Sequence, residues 1–191
     1  MTFTLTDEMK KNLGPLAAYA GVWEGDKGDD TAPSDDRGTE KNLFRERLTF
    51  EPLGVVNNHE QTLYGLKYAR IAWRLGEEAA FHEEQGYWLW DANEKQVMRS
   101  FMIPRGVVVL AGGTVEADAT SFELRAECGS DTYGICSNLF LDREFKTVRF
   151  EMVMTLIDSQ TFSYKENSIL KLKGRPQPFN HIDQNTLKRV G

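Results

Sequence analysis

Leu43-Phe-Arg-Glu-Arg-Leu-Thr-Phe-Glu51 alternates with a period of two. Phe44, Glu46, Leu48 and Phe50 fall on one face, and Arg45, Arg47, Thr49 and Glu51 on the other. Extended chain points successive side chains to opposite sides, so this is the pattern of a half-buried strand. Its inner face is mixed, because Glu46 lies among the apolar residues. Pro52-Leu53-Gly54 then reads as a turn.

Runs of the same kind continue outward from this stretch, over 61–75, 81–90, 96–103, 107–116, 122–128, 138–145, 148–157 and 161–173. Turn sequences such as Gly76-Glu77-Glu78, Asp91-Ala92-Asn93-Glu94 and Pro104-Arg105-Gly106 separate them. Many short strands with hairpin-length links predict an all-β protein, an antiparallel closed β-barrel, since closure removes the unpaired strand edges. Two helical pieces are expected at the ends. Thr6 is placed to cap a short N-terminal helical turn that Gly14-Pro15 terminates, and Asn180 to Val190 reads as a short C-terminal helix with Ile182 and Leu187 facing the body. Asp26 to Asn42, rich in Asp and Gly, reads as a long acidic loop over one barrel end.

The chain has 191 residues, with 29 acidic and 23 basic side chains and a formal net charge of −6. One domain over 1–191 is the expectation from length. No polybasic stripe offers the phosphate-neutralising surface on which nucleic-acid affinity rests, so nucleic acid is not an expected partner. Even an apolar run as long as any in the chain, Val107 to Ala111, falls far short of the ~18–20 residues of a membrane span. The segment from Met1 to Lys11 lacks a basic region followed by an apolar one, and a cytoplasmic location is expected. Cys128 and Cys136 flank a glycine-containing loop. No second pair of ligands accompanies them, so a structural zinc site is not expected and two reduced thiols are.

Three histidines occur, His59, His82 and His181, and no two lie close enough in sequence for a metal cage. One histidine still suffices for haem, because the porphyrin provides the equatorial nitrogens and the protein adds an axial ligand. His82 and Glu84 share a strand face, as a structural hydrogen-bonded pair or as an acid–base pair. His59 follows Asn57-Asn58 in a turn and reads as solvated. The aspartates 26, 29, 30, 35 and 36 do not follow EF-hand spacing and read as a solvated acidic loop. Gly25-Asp-Lys-Gly28 is too sparse for a phosphate-binding loop.

Gly14-Pro-Leu-Ala-Ala-Tyr-Ala-Gly-Val-Trp-Glu-Gly25 resembles the opening of the nitrobindin family, small haem-binding barrels with a fatty-acid-binding-protein-like or lipocalin-like fold. His82-Glu-Glu-Gln-Gly-Tyr-Trp88 is similar to that family's His-x-Glu-x-Gly-aromatic strand, with Trp73 before it. Pro178-Phe-Asn-His-Ile-Asp-Gln-Asn-Thr-Leu187 is similar to its C-terminal Pro-x-x-His segment. The three matches occur in order between residues 14 and 187. The chain departs from the pattern in the inserted acidic stretch 26–42, in a longer strand region after Ser137, and in Leu187, one place later than the usual leucine.

The resemblance implies a haem b cofactor in the barrel mouth with His181 as iron ligand, Trp23 plugging the barrel end, and His82 and Glu84 as neighbouring or structural residues. It further implies nitric oxide binding and, as an enzyme, isomerisation of peroxynitrite to nitrate. Two other functions stand beside it. A barrel without metal can carry an apolar metabolite or fatty acid, with any inward-pointing member of Arg45, Arg47, Arg70, Arg74 and Arg99 pairing with a carboxylate, although most of these are expected to face solvent. An enzyme using His82 and Glu84 on an organic substrate is the third.

Overall fold

The computed structural model describes residues 5–191. The first four residues of the segment considered above as a signal lie outside the described residues. Helix α1 (Asp7–Leu13) starts at Thr6, whose hydroxyl accepts from the Met9 amide at 3.1 Å, and ends at Gly14. A 3-10 turn (Gly14–Tyr19) leads into β1 (Gly21–Ala32), β2 (Glu40–Pro52), β3 (Val56–Asn58), β4 (Gln61–Arg74), β5 (His82–Asp91), β6 (Gln96–Ile103), β7 (Val107–Thr114), β8 (Ser121–Glu127) and β9 (Ile135–Ser137). After helix α2 (Leu139–Glu144) come β10 (Phe145–Asp158), β11 (Thr161–Leu172) and β12 (Phe179–Arg189).

Ten of these strands close into an antiparallel barrel in the order β1-β12-β11-β10-β8-β7-β6-β5-β4-β2, and β2 returns to β1. The short strands β3 and β9 lie off this ring, paired to β4 and β7. Phe44, Glu46, Leu48 and Phe50 all face the barrel interior, Glu46 included. Among the described residues, no helix is long and apolar enough to cross a membrane.

Three sequence expectations are corrected. Asn180 to Val190 is not a helix but most of β12, the strand that joins β11 to β1. Its inward positions are Phe179, His181, Asp183, Asn185 and Leu187. Polar residues at three of them erase the apolar alternation that marks a strand. Asp26 to Asn42 is not one long loop. β1 runs to Ala32 and β2 begins at Glu40, which leaves a connection over 33–39. A bulge in β1 hid the strand: Trp23 lies opposite Leu48 and Gly28 opposite Phe44, so one extra residue breaks the alternation. Gly28 is required there, because a Cβ would stand 2.4 Å from the Phe44 ring. The third correction is the start of the run 138–145, which folds as α2. Asn138 caps it by accepting the Leu141 amide at 2.9 Å.

The lower half of the barrel is filled. Leu13, Leu16 and Tyr19 plug its end, and Trp23, Phe50, Trp88, Phe122 and Phe162 pack above them. Trp23 is fully buried, meets Phe162 edge-on at 4.8 Å, and donates its indole N–H to the Tyr19 carbonyl at 2.7 Å. The Arg189 guanidinium lies 4.2 Å from its ring and donates to the Ala18 and Ala20 carbonyls, which ties the last strand to the plug. Replacing Trp23 with Ala is expected to cost about 3–5 kcal/mol in urea unfolding, as a large buried aromatic side chain does. A loss below about 1 kcal/mol would remove Trp23 from this role.

Candidate functional site

Above the aromatic core, two arginines enter the barrel side by side. Arg70 from β4 and Arg99 from β6 are at most 3% exposed. The Arg70 Nε donates to Glu46 at 2.6 Å, and its Nη2 donates to the Tyr164 hydroxyl at 2.6 Å and to Asp183 at 2.7 Å. Arg99 donates to Glu84 at 2.6 Å, to the Tyr68 hydroxyl at 3.0 Å and to Glu166. Tyr164 and Asn185 complete the second Glu46 oxygen, each at 2.8 Å. Four carboxyl groups thus surround two guanidinium groups. Such a layer holds only because almost every donor is met, since an unpaired buried charge is far costlier than a paired one.

The four carboxyls do not behave alike. Burial raises Glu84, but the Arg99 charge, His82 and Arg70 together overcome it and hold the carboxyl well below its usual range. For Glu46 and Glu166 burial wins over the arginines, so both are held above the ordinary carboxylate range. Beneath the layer, the space among Phe50, Trp88, Met152 and Met154 amounts to about 10 Å³.

Above the layer the barrel opens into a cavity of about 690 Å³. Its lining is two-sided. Phe101, Ile103, Val107, Val109 and Phe150, from β6, β7 and β10, make an apolar arc, with Leu141 of α2 at its edge. The opposite arc, from β12 through β1, β2, β4 and β5, presents His181, Asp183, Asp30, Asn42, Arg74, His82 and Glu84. Over the whole lining, seven carboxylate side chains face three arginines.

His181 is an inward residue of β12, two places from Asp183. Its Nε2 lies 2.8 Å from Oδ1 of Asp30, a residue 4% exposed on neighbouring β1. Asn42 donates to the other Asp30 oxygen at 3.0 Å. Burial pulls the His181 ring downward, but the hydrogen bond and charge of Asp30, with Asp183 and Glu166, raise it above the ordinary value. Burial raises Asp30, and His181, Asn42 and Arg70 more than reverse this. In the neutral ring with Nε2–H donating to the Asp30 carboxylate, the other ring nitrogen keeps a lone pair, the electronic form a metal-binding imidazole needs.

The 33–39 connection spans this mouth. Pro33, Ser34 and Asp35 line the cavity, and Arg37 reaches across to donate to Glu144 of α2 at 2.8 Å and to the Lys173 carbonyl at 2.8 Å. Glu144 also receives Arg143 and Lys173, and hydrogen bonds from Arg143, Arg37 and Lys173 lower its carboxyl to about 2.

The candidate residues therefore sort cleanly by position. His181, His82 and Glu84 all line the mouth cavity. Glu84 is engaged by Arg99, and the buried His82 Nε2 stands 3.7 Å from Glu84 Oε2, with no hydrogen-bond partner among the described residues. Trp23 lies at the closed end, away from the cavity. His59 is exposed in the β3–β4 turn. Of the five strand arginines, Arg70 and Arg99 are buried inside, Arg74 lines the mouth, and Arg45 and Arg47 lie on the alternate positions of β2; more point inward than expected. Sequence reading missed Asp30, taken as a solvated loop aspartate, and the partners Glu166 and Asp183. Glu46 on an apolar face was the available signal, since a lone inward carboxylate demands a buried cation.

A closed antiparallel barrel with a packed floor and one amphipathic mouth defines a binder of a small molecule or cofactor. The chain belongs to the THAP4-like, heme-binding beta-barrel domain family, whose model matches residues 12–189. Among solved structures it is similar to Rv2717c from M. tuberculosis, at 19% sequence identity and a TM-score of 0.65, over 98% of this chain and 100% of the other. That likeness concerns the fold. A more distant one, to the S-type phycobiliprotein lyase CPES from Guillardia theta, has 9% identity and a TM-score of 0.48, over 98% and 99% of the two chains. No curated protein matches the sequence.

The opposed carboxyl shifts predict opposite pH effects. A carboxyl lowered by folding, as Glu84 is, adds stability above its unfolded pKa of about 4.3 and loses it as pH falls below that value. A raised carboxyl such as Glu166 subtracts stability as pH rises through the unfolded value. At pH 7, Glu84→Gln is expected to cost about 3–5 kcal/mol, as loss of one partner of a buried ion pair does. Glu166→Gln should cost less, and Glu84→Gln should flatten the acid limb of stability against pH. Urea unfolding from pH 3 to 8 checks this, and the reverse order of the two variants at pH 7 would contradict the assignment.

Proposed function

We propose that the mouth cavity binds haem b, with His181 as the residue that would hold its iron. The observation that carries this reading is the His181–Asp30 pair at the cavity wall: a histidine whose ring is oriented by a buried carboxylate, as metal-binding histidines are. The cavity volume lies within the ~300–1,000 Å³ of small-molecule sites. Its apolar arc suits a flat macrocycle. Non-covalent haem is the form we infer, as the sequence carries no Cys-x-x-Cys-His attachment motif. Cys128 directly follows β8 and Cys136 lies in β9, and neither lines the cavity.

When bound, ferric haem supplies an open coordination position for a small diatomic or oxyanion ligand. The chain's own residues set the conditions. Asp30 holds the proton at the ring nitrogen facing it and thereby frees the other nitrogen of His181 for the metal. Phe101, Ile103, Val109 and Phe150 exclude water from one side. The carboxylate-rich arc favours a neutral ligand over an anion, so nitric oxide binding is the first activity we infer, and isomerisation of peroxynitrite to nitrate a second one that must work against this charge. Glu84, fixed by Arg99, and His82 act in this reading as the polar wall of the pocket. The carrier alternative fits less well, because the barrel interior below Arg70 is filled by side chains where an acyl chain would need space.

Titration of the purified protein with hemin is expected to give a shifted, saturable Soret band. His181→Ala should abolish that shift, and Asp30→Asn should weaken hemin binding by about 10–100-fold, the usual effect of removing an orienting partner. An unchanged spectrum in His181→Ala overturns the ligand assignment. Absence of any Soret shift in the wild-type protein overturns haem binding.

A further inference from the structure

Arg105 stands out among the cavity-lining cations. Arg70 is saturated by Glu46, Asp183 and Tyr164. Arg74 donates to Asn42 at 2.9 Å and lies 3.7 Å and 3.8 Å from Glu40 and Glu77. Among the described residues the Arg105 guanidinium makes no ion pair; it lies 5.5 Å from the centre of the Phe145 ring, at the rim of the apolar arc.

Its backbone is nonetheless held firmly. Asn138 donates from Nδ2 to the Arg105 carbonyl at 2.8 Å while its Oδ1 caps α2, and the Asn138 amide donates to the Gly106 carbonyl at 3.0 Å. Gly106 adopts φ 96°, and a Cβ there would meet Asn138 Nδ2 at 2.6 Å. The turn that carries Arg105 is thus locked to the helix beside it. Counting round the barrel from β12, three strands intervene before β7 one way and four before β6 the other, so the β6–β7 turn sits across the mouth from His181.

We propose that Arg105 anchors a carboxylate of the cavity ligand, a propionate of the porphyrin on the haem reading, on which this inference rests. Charge leaves little choice of place. The polar arc is crowded with carboxylates and would repel an anionic group, whereas Arg105 borders the apolar surface on which the ligand body lies, with its donors unclaimed. A ligand with an apolar body and an acidic edge can meet both arcs only with that edge toward the β6–β7 turn.

Hemin and hemin dimethyl ester, titrated separately into the wild-type, Arg105→Ala and Arg105→Lys proteins, test the anchor. Arg105→Ala should weaken hemin binding about tenfold, the scale of one charge-assisted hydrogen bond, and change ester binding less than about twofold. Arg105→Lys should recover part of the loss. Retained ester binding shows that the variant is folded. Equal effects on both ligands, or none on hemin, overturn the anchor while leaving haem binding intact. Failure of the wild-type protein to bind either ligand overturns the haem reading and this inference with it.

Discussion

Two guanidinium groups buried at mid-height are the constraint on which the rest of this barrel depends. Removing them from water is costly, and the cost is met by Glu46, Glu84, Glu166 and Asp183 together with two tyrosine hydroxyls. The pairs come from six strands round the ring, β2, β4, β5, β6, β11 and β12, so the layer also fixes how opposite walls of the barrel stand to one another. Below it lies an aromatic core with no room for a ligand. Above it everything that binds must occupy the mouth.

The mouth inherits its polarity from that layer. The strands that deliver the carboxylates deliver, one inward step higher, His82 and His181, while β6, β7 and β10 deliver apolar side chains at the same level. His181 is then oriented by Asp30, a residue available only because β1 continues past its bulge to Ala32. The same extension carries the 33–39 connection across the opening to Glu144, so this acidic stretch serves as both a wall of the site and a strap over it.

Much of this was legible in the sequence, and each illegible part has its own physical cause. Strands with apolar inner faces, such as 122–128 and 148–157, read directly, and so did the Thr6 cap and the inward position of Glu46. β12 did not, because His181, Asp183 and Asn185 occupy its inner face and only the pairing with β1 and β11 makes it a strand. The end of β1 was hidden by one extra residue and an inward glycine at 28. The site was legible as single residues through motif resemblance, but the network was not: Arg70 and Asp183 are 113 positions apart, and nothing local in either segment reveals the other. In β12, the polar residues facing inward are at once what builds the site and what disguises the strand that carries it.

A crystal structure of the hemin-loaded protein tests the account most directly. It should show iron bonded to the His181 imidazole, with Arg70 still paired to Glu46 and Asp183 and Arg99 still paired to Glu84 and Glu166. Iron held by another side chain, or a porphyrin lodged below the arginines with those pairs broken, would contradict it.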